Sequence, residues 1–129
     1  MIVVDASALV DLLIRSPRGS RVQTALNGTA VAAPELIVVE VLSALHRLVR
    51  SSTLTAAQAT AAADDFAALA LRTVPHAPLA ATVWGLRDRV RIADAFYVAA
   101  AQAVGVPLLT TDARLARAVL PGVTVTLVS

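Results

Sequence analysis

Short apolar runs alternate with longer stretches of helical periodicity along nearly the whole of this chain, and that alternation restricts it to the α/β class. Residues 2–4 (IVV) read as a strand, and 6–14 read as a helix with Leu9, Val10, Leu12 and Leu13 inward. Ser16-Pro17-Arg18-Gly19 breaks the pattern, a second helix covers 19–26, and Asn27-Gly28 makes a good C-cap. A strand at 29–34 follows, then a long helix over 34–50 with Pro34 in its first turn. Thr55 caps a helix over 55–71, residues 72–76 form a short strand, and Pro78 opens a helix to Arg89. Asp94 begins a helix to Val104, capped by Gly105, and VPLLTT at 106–111 is a strand of the kind buried on both faces. DARLARAVLPG makes a short helix, and VTVTLV is a last strand.

No Asn-Gly turn joins two alternating runs, so the strands are expected to pair mostly in parallel beneath helices. Ligands of such sheets bind beyond the carboxyl ends of the strands. Asp5 stands at that end of the first strand, and Asp112 at that end of the strand 106–111.

These two belong to a set of four. Asp5, Glu40, Asp94 and Asp112 lie in VVDAS, PELIVVEVLSAL, RIADAFYVAAAQ and PLLTTDARLARA, where a lone charge is costly unless it pairs, protonates or binds a metal. Nearly half of the nine acidic residues are placed this way. Each aspartate precedes a helix, and taken singly each is explained as an N-cap. Glu40 is not, since it falls near the middle of its helix. Glu40, Ser43, Arg47 and Arg50 share one stripe of that helix, which opens either to bulk water or into a cleft. Strand-end and helix-start acids can converge above an α/β sheet, and carboxylates gathered there repel one another strongly. A divalent cation is their natural occupant. Ser7 and Thr110 or Thr111 stand beside the acids and offer hydroxyls as ligands or as groups that orient water.

Composition narrows the chemistry. With no cysteine there is no disulfide framework, no zinc-thiolate site and no thiol nucleophile, and two histidines, His46 and His76, are too few for a histidine-rich metal site. A metal would be held by oxygen, which suits Mg²⁺ or Mn²⁺. All eleven basic residues are arginine, so chemistry that needs an ammonium group is excluded, including a P-loop phosphate cradle and Schiff-base formation. A haloacid-dehalogenase-type phosphatase would want a second aspartate where Ser7 stands, together with a lysine, and a receiver domain also wants the lysine. The net charge is +2, and setting the four acids aside leaves eleven arginines against five acids. That balance fits a polyanionic partner. The apolar runs are too short for a membrane span, and MIVVDAS lacks the basic region of a signal or transit peptide, so a soluble cytoplasmic protein is expected.

Four segments, VVDAS, PELIVVE, DAFYVAAA and LLTTDARLARA, occur in this order over about 110 residues. In them the chain resembles PIN-domain proteins, and specifically the VapC-type toxin ribonucleases of type II toxin-antitoxin systems. The resemblance implies one nuclease domain over residues 1–129, a three-layer α/β fold whose short, mostly parallel sheet of about four or five strands is flanked by helices. It implies that Asp5, Glu40, Asp94 and Asp112 form an acidic metal-binding quartet, with Asp5 and Asp112 as direct ligands and Ser7 and Thr110 as supporting polar positions. Metal-assisted hydrolysis of RNA by Mg²⁺, or Mn²⁺ as alternative, with a 5′-phosphate product, is the reaction implied. Glu35 reads as a first-turn dipole partner, and Asp11 as a surface residue or a neighbour of the ligands.

RNA has to be held by its phosphates, which arginine contacts in bidentate fashion. Arg15, Arg18 and Arg21 cluster after the first helix, Arg87, Arg89 and Arg91 precede Asp94, and Arg114 and Arg117 follow Asp112; of these, Arg15, Arg18, Arg21 and Arg114 are the foremost candidates. Aromatic residues are few, and Trp84 and Phe96 are assigned to the core. A hydrophobic fraction of 57% calls for covered surface. A homodimer interface and a groove for a cognate VapB-type antitoxin, both typical of the family, would provide it, with the helices over 34–50 and 55–71 as docking candidates. Two alternatives differ in kind: a PIN-like module that only binds, and a solitary nuclease of RNA processing.

Overall fold

The computed structural model describes residues 1–129. Five strands, β1 (Ile2–Val4), β2 (Val31–Pro34), β3 (Leu71–Val74), β4 (Leu108–Thr110) and β5 (Val125–Leu127), form one sheet in the order β3-β2-β1-β4-β5. Every pair is parallel. Seven helices connect them: α1 (Ala6–Leu13), α2 (Pro17–Leu26), α3 (Ile37–Arg50), α4 (Ala56–Ala68), α5 (Ala80–Gly85), α6 (Ile92–Val104) and α7 (Ala113–Arg117). The chain winds outward from β1 to β3, then crosses back to β4 and β5. Right-handed crossovers therefore put α1–α4 on one face and α5–α7 on the other. α1 packs on α2, α3 and α4, while α6 packs on β1, β2 and β4.

Val3, Val4, Leu108 and Leu109 are wholly buried, as central parallel strands covered on both faces must be. Ala95 and Ala99–Ala101 are buried in α6, and such small side chains let this helix lie close against the sheet. The order of winding reverses between β1 and β4. That switch point is where a doubly wound sheet opens a crevice for a ligand, and Asp5 and Asp112 follow the two strands that form it.

Several boundaries differ from expectation. Pro34 does not open α3 but ends β2, in register with Val74, and Glu35 N–H donates to the Val74 carbonyl, so the helix starts three residues later. Glu40 consequently lies in the first turn of α3, not near its middle. Glu35 lies outside the helix and accepts a hydrogen bond from the His76 backbone N–H instead of serving the helix dipole. The helix expected over 55–71 stops at Ala68, because Leu71 already pairs with Val31. The segment expected as one helix over 78–89 is a 3₁₀ turn at Ala77–Leu79 followed by α5, which ends at Gly85. α2 begins at Pro17, its first turn closed by Ser16 accepting from Gly19 N–H. α6 begins at Ile92, so Asp94 is its third residue rather than its cap. Trp84, assigned to the core, is 64% exposed.

Candidate active site

Asp5 is the organising residue. It follows β1, caps α1, and is only 4% exposed. Oδ1 accepts from the Ala8 N–H at 3.0 Å and from the Ser7 hydroxyl at 2.7 Å, and Oδ2 accepts from the Thr110 hydroxyl. The two hydroxyls are themselves oriented from the β4 side, since Asp112 N–H donates to Thr110 Oγ1 and Thr111 N–H to Ser7 Oγ. A carboxylate has about four acceptor positions. Three are filled by protein, and the fourth, on Oδ2, remains for a ligand. Desolvation pushes the Asp5 carboxyl above its ordinary value, the three hydrogen bonds oppose this, and the nearby charge of Asp94 adds to the rise.

Glu40 is held from the other face of the sheet. The hydroxyl of Tyr97, a residue of α6 that is 1% exposed, donates to Glu40 Oε1 at 2.6 Å. Burial, then the Glu40 contact, pushes that hydroxyl far above its ordinary value, with the charges of Asp5 and Asp94 contributing. Asp94 Oδ2 accepts from Arg91 Nε at 3.2 Å, and Asp112 uses Oδ1 to cap α7 while Oδ2 faces the Arg114 guanidinium at 3.3 Å. Asp112 sits below its ordinary value: desolvation raises it, but the Arg114 side chain, backbone N–H and charge outweigh that.

All four acids thus share one electrostatic neighbourhood. Tyr97 lies in the field of Glu40, Asp5 and Asp94, while Arg91 lies in that of Asp94, Asp112 and Glu40. No three His, Asp or Glu side chains are disposed as a ready-made metal-binding group. No two of the four carboxylates touch: Asp5 is bonded to Ser7 and Thr110, Glu40 to Tyr97, and Asp94 and Asp112 are turned to arginines. The donor chemistry suits a hard cation: all oxygen, with one buried carboxylate already oriented and the others within reach of the same mutual field. Two hydroxyls that were open as ligands or water-orienting groups are committed to Asp5.

Two clefts reach this centre. One, of about 750 Å³, runs between α1 and α3, and Ser7, Asp11, Glu40, Ser43 and Arg47 are among its lining residues, so the polar stripe of α3 faces a cleft. The other, of about 410 Å³, lies between residues 87–91 and α7 and ends at Asp94. Of the arginines expected to meet RNA, Arg15 faces Asp65 at 3.8 Å, Arg21 donates to the Ser129 carbonyl, and Arg18 lies 3.9 Å from Asp11 and donates to the Thr111 carbonyl. Arg114 borders the second cleft together with Arg87, Arg89 and Arg91. The sequence offered Arg91 among the phosphate-binding arginines and Tyr97 within DAFYVAAA, but assigned neither a role toward the acids. Tyr97 is one helical turn beyond Asp94 and Arg91 one turn before it, and that spacing was the available signal.

A doubly wound parallel sheet with acids gathered at its switch point defines a class of small α/β domain built around a polar crevice. The family model of the PIN domain matches residues 2–119. Ribonuclease VapC3 of Mycobacterium tuberculosis is 47% identical over 118 residues, covering 91% of this chain and 86% of that protein. Ribonuclease VapC12 of the same organism is 38% identical over 117 residues, covering 91% of each. The solved structure of VapBC2 from Rickettsia felis, bound to a DNA fragment from their promoter, superposes with a TM-score of 0.70 at 16% identity over 98% of each chain, which shows a shared fold. This chain belongs to the PIN-domain family, and within it to the VapC proteins.

Proposed function

We propose that this chain, as a single nuclease domain, is a divalent-metal-dependent endoribonuclease and the toxin of a toxin-antitoxin pair. The observation that carries the reading is Asp5: a nearly buried carboxylate, held by three donors with one acceptor position left, at the switch point and in the field of Asp94. Its curated relatives are named ribonucleases. Asp5, Asp94, Asp112 and Glu40 would hold Mg²⁺, or Mn²⁺ in its place, and the ion would supply Lewis acidity toward the phosphodiester and lower the pKa of water.

The protein's own residues do the positioning. Ser7, Thr110 and the Ala8 N–H fix the plane of the Asp5 carboxylate, and Tyr97 fixes Glu40. Arg91 and Arg114 neutralise Asp94 and Asp112 and stand at the mouth of the site, where a phosphate would replace a carboxylate as their partner. Cleavage would break the bond to the 3′-oxygen and leave a 5′-phosphate. The exposed Val38, Val39 and Leu42 of α3, beside the cleft that opens onto Glu40, support this helix as the docking place of a VapB-type antitoxin. α4 offers mostly alanine there.

The test is cleavage of a mixed RNA pool with Mg²⁺, with Mn²⁺ and with EDTA. The parent protein should cut only with metal, and Asp5→Asn, with its circular dichroism unchanged, should not cut at all. Cleavage by Asp5→Asn at the parental rate, or none by the parent with either metal, overturns the reading. A non-catalytic binding module is the second reading, supported by the ion pairs that occupy Asp94 and Asp112, with no ready-made ligand group among the acids. It predicts RNA binding without cleavage under every metal condition.

A further inference from the structure

The two clefts that reach the acids carry opposite charge. The cleft between α1 and α3 is lined by Asp11 and Glu40 against Arg47. The cleft between residues 87–91 and α7 is lined by Arg87, Arg89, Arg91 and Arg114 against Asp88 and Asp94. Only the second suits a phosphate backbone. Its arginines are anchored rather than free: Arg89 donates to the Val119 carbonyl at 2.9 Å, Arg91 to Asp94, and Arg87 to the Trp84 carbonyl at 2.8 Å. Anchoring lowers the side-chain entropy lost when a phosphate binds.

Trp84 stands next to this cleft and contradicts its expected core assignment. It is the only tryptophan in the chain and is largely exposed. The Arg87 guanidinium lies 4.6 Å from its ring centroid, so the indole is braced by a cation that also lines the cleft. An exposed, braced aromatic ring beside a row of arginines is the combination by which proteins hold single-stranded nucleic acid, the cations tracking the backbone and the ring stacking on a base.

We propose that the 87–91 cleft is the track for one flank of the RNA strand, leading away from Asp94, and that Trp84 braced by Arg87 is a base-stacking platform on that flank. The proposal rests on the ribonuclease reading and deepens it. It places a base-stacking contact on α5, outside the acids read as metal-binding, and it moves RNA binding away from Arg15 and Arg21, which face other partners.

The single tryptophan reports on its own test. A labelled single-stranded RNA is titrated into the parent protein in EDTA, following both anisotropy and Trp84 fluorescence. RNA binding should quench the tryptophan in step with the anisotropy change. Trp84→Ala should weaken binding about tenfold. Arg87→Ala and Arg89→Ala should each lower the slope of log affinity against log salt by about 0.7, whereas Arg72→Ala, on the edge strand β3, should shift affinity less than about twofold. If the parent binds and cleaves RNA while its tryptophan fluorescence stays constant and Trp84→Ala binds as tightly, the track is refuted and the ribonuclease reading stands. If Trp84→Ala instead changes the oligomeric state measured by light scattering and not RNA affinity, Trp84 is a contact between copies and the proposal fails. A parent that binds no RNA in this titration refutes the track, and one that also cleaves none with Mg²⁺ or Mn²⁺ refutes both.

Discussion

Tyr97→Phe isolates the bond that ties α6 to α3. The substitution removes one oxygen, leaves the ring in place, and deprives Glu40 Oε1 of a donor at 2.6 Å. Hydrogen bonds to charged groups contribute about 1.5–3 kcal/mol. Because Glu40 is only half-buried and water can replace the lost donor, the low end applies, about 1.5 kcal/mol. An unfolding entropy near 2.1 cal/mol/K per residue over 129 residues converts this to a fall in Tm of roughly 5 °C, read by calorimetry in EDTA. A double-mutant cycle with Glu40→Ala should return a coupling of about the same 1.5 kcal/mol. The pH dependence is a second, independent measure. Burial and then Glu40 raise the hydroxyl of folded Tyr97, so its contribution is complete below the unfolded value near 10 and is lost as pH rises above it, by up to about 1.4 kcal/mol per pH unit. With no lysine, no cysteine and one tyrosine, no other side chain titrates there. The parent should lose stability steeply above about pH 10 while Tyr97→Phe does not. A coupling below about 0.3 kcal/mol, or parallel alkaline curves, would refute the bond and with it the positioning of Glu40.

Three further outcomes follow from single contacts. Gly19→Ala would drive a Cβ into the backbone carbonyl of Asp11 where α2 crosses α1, and should destabilise by about 1–3 kcal/mol in urea unfolding. Thr55→Ala removes half of a complete capping box with Gln58 and should cost about 1 kcal/mol in the same assay. His76→Ala strips the Nε2 acceptor from the Leu36 N–H at the entry to α3 and should speed hydrogen exchange at Leu36 about tenfold or more.

The β/α alternation was legible because most strands are short apolar runs and several helices end at a readable stop signal, such as Asn27-Gly28 or Gly105. Gly105, at φ 75°, closes α6 as its position suggested. The helix starts were less legible because proline serves two masters. Pro34 has the fixed φ of a first helical turn, but its neighbour Glu35 has a backbone N–H that β3 can use, and pairing with Val74 wins. That choice depends on a strand 40 residues further along the chain, and no local pattern contains it. Trp84 failed for a related reason. A helix expected to run to Arg89 would have offered it a longer buried face, whereas α5 ends at Gly85 and leaves the ring outside.

The aspartates were hard to assign because capping and site chemistry were weighed as alternatives, and the structure shows that they use different atoms. Asp112 caps α7 with Oδ1 and presents Oδ2 to Arg114. Asp5 caps α1 with Oδ1 and keeps its remaining acceptor position on Oδ2. A cap fixes χ1 and the carboxylate plane at once, so a strand-end aspartate that caps the next helix is held ready to receive a ligand without further ordering. Capping thus supports a site role. Glu40, which caps nothing, needs a separate device to hold it, and the buried Tyr97 hydroxyl is that device. Its donor comes from α6, 57 residues along the chain, which is why Glu40 was recognisable from its surroundings while the residue that positions it was not.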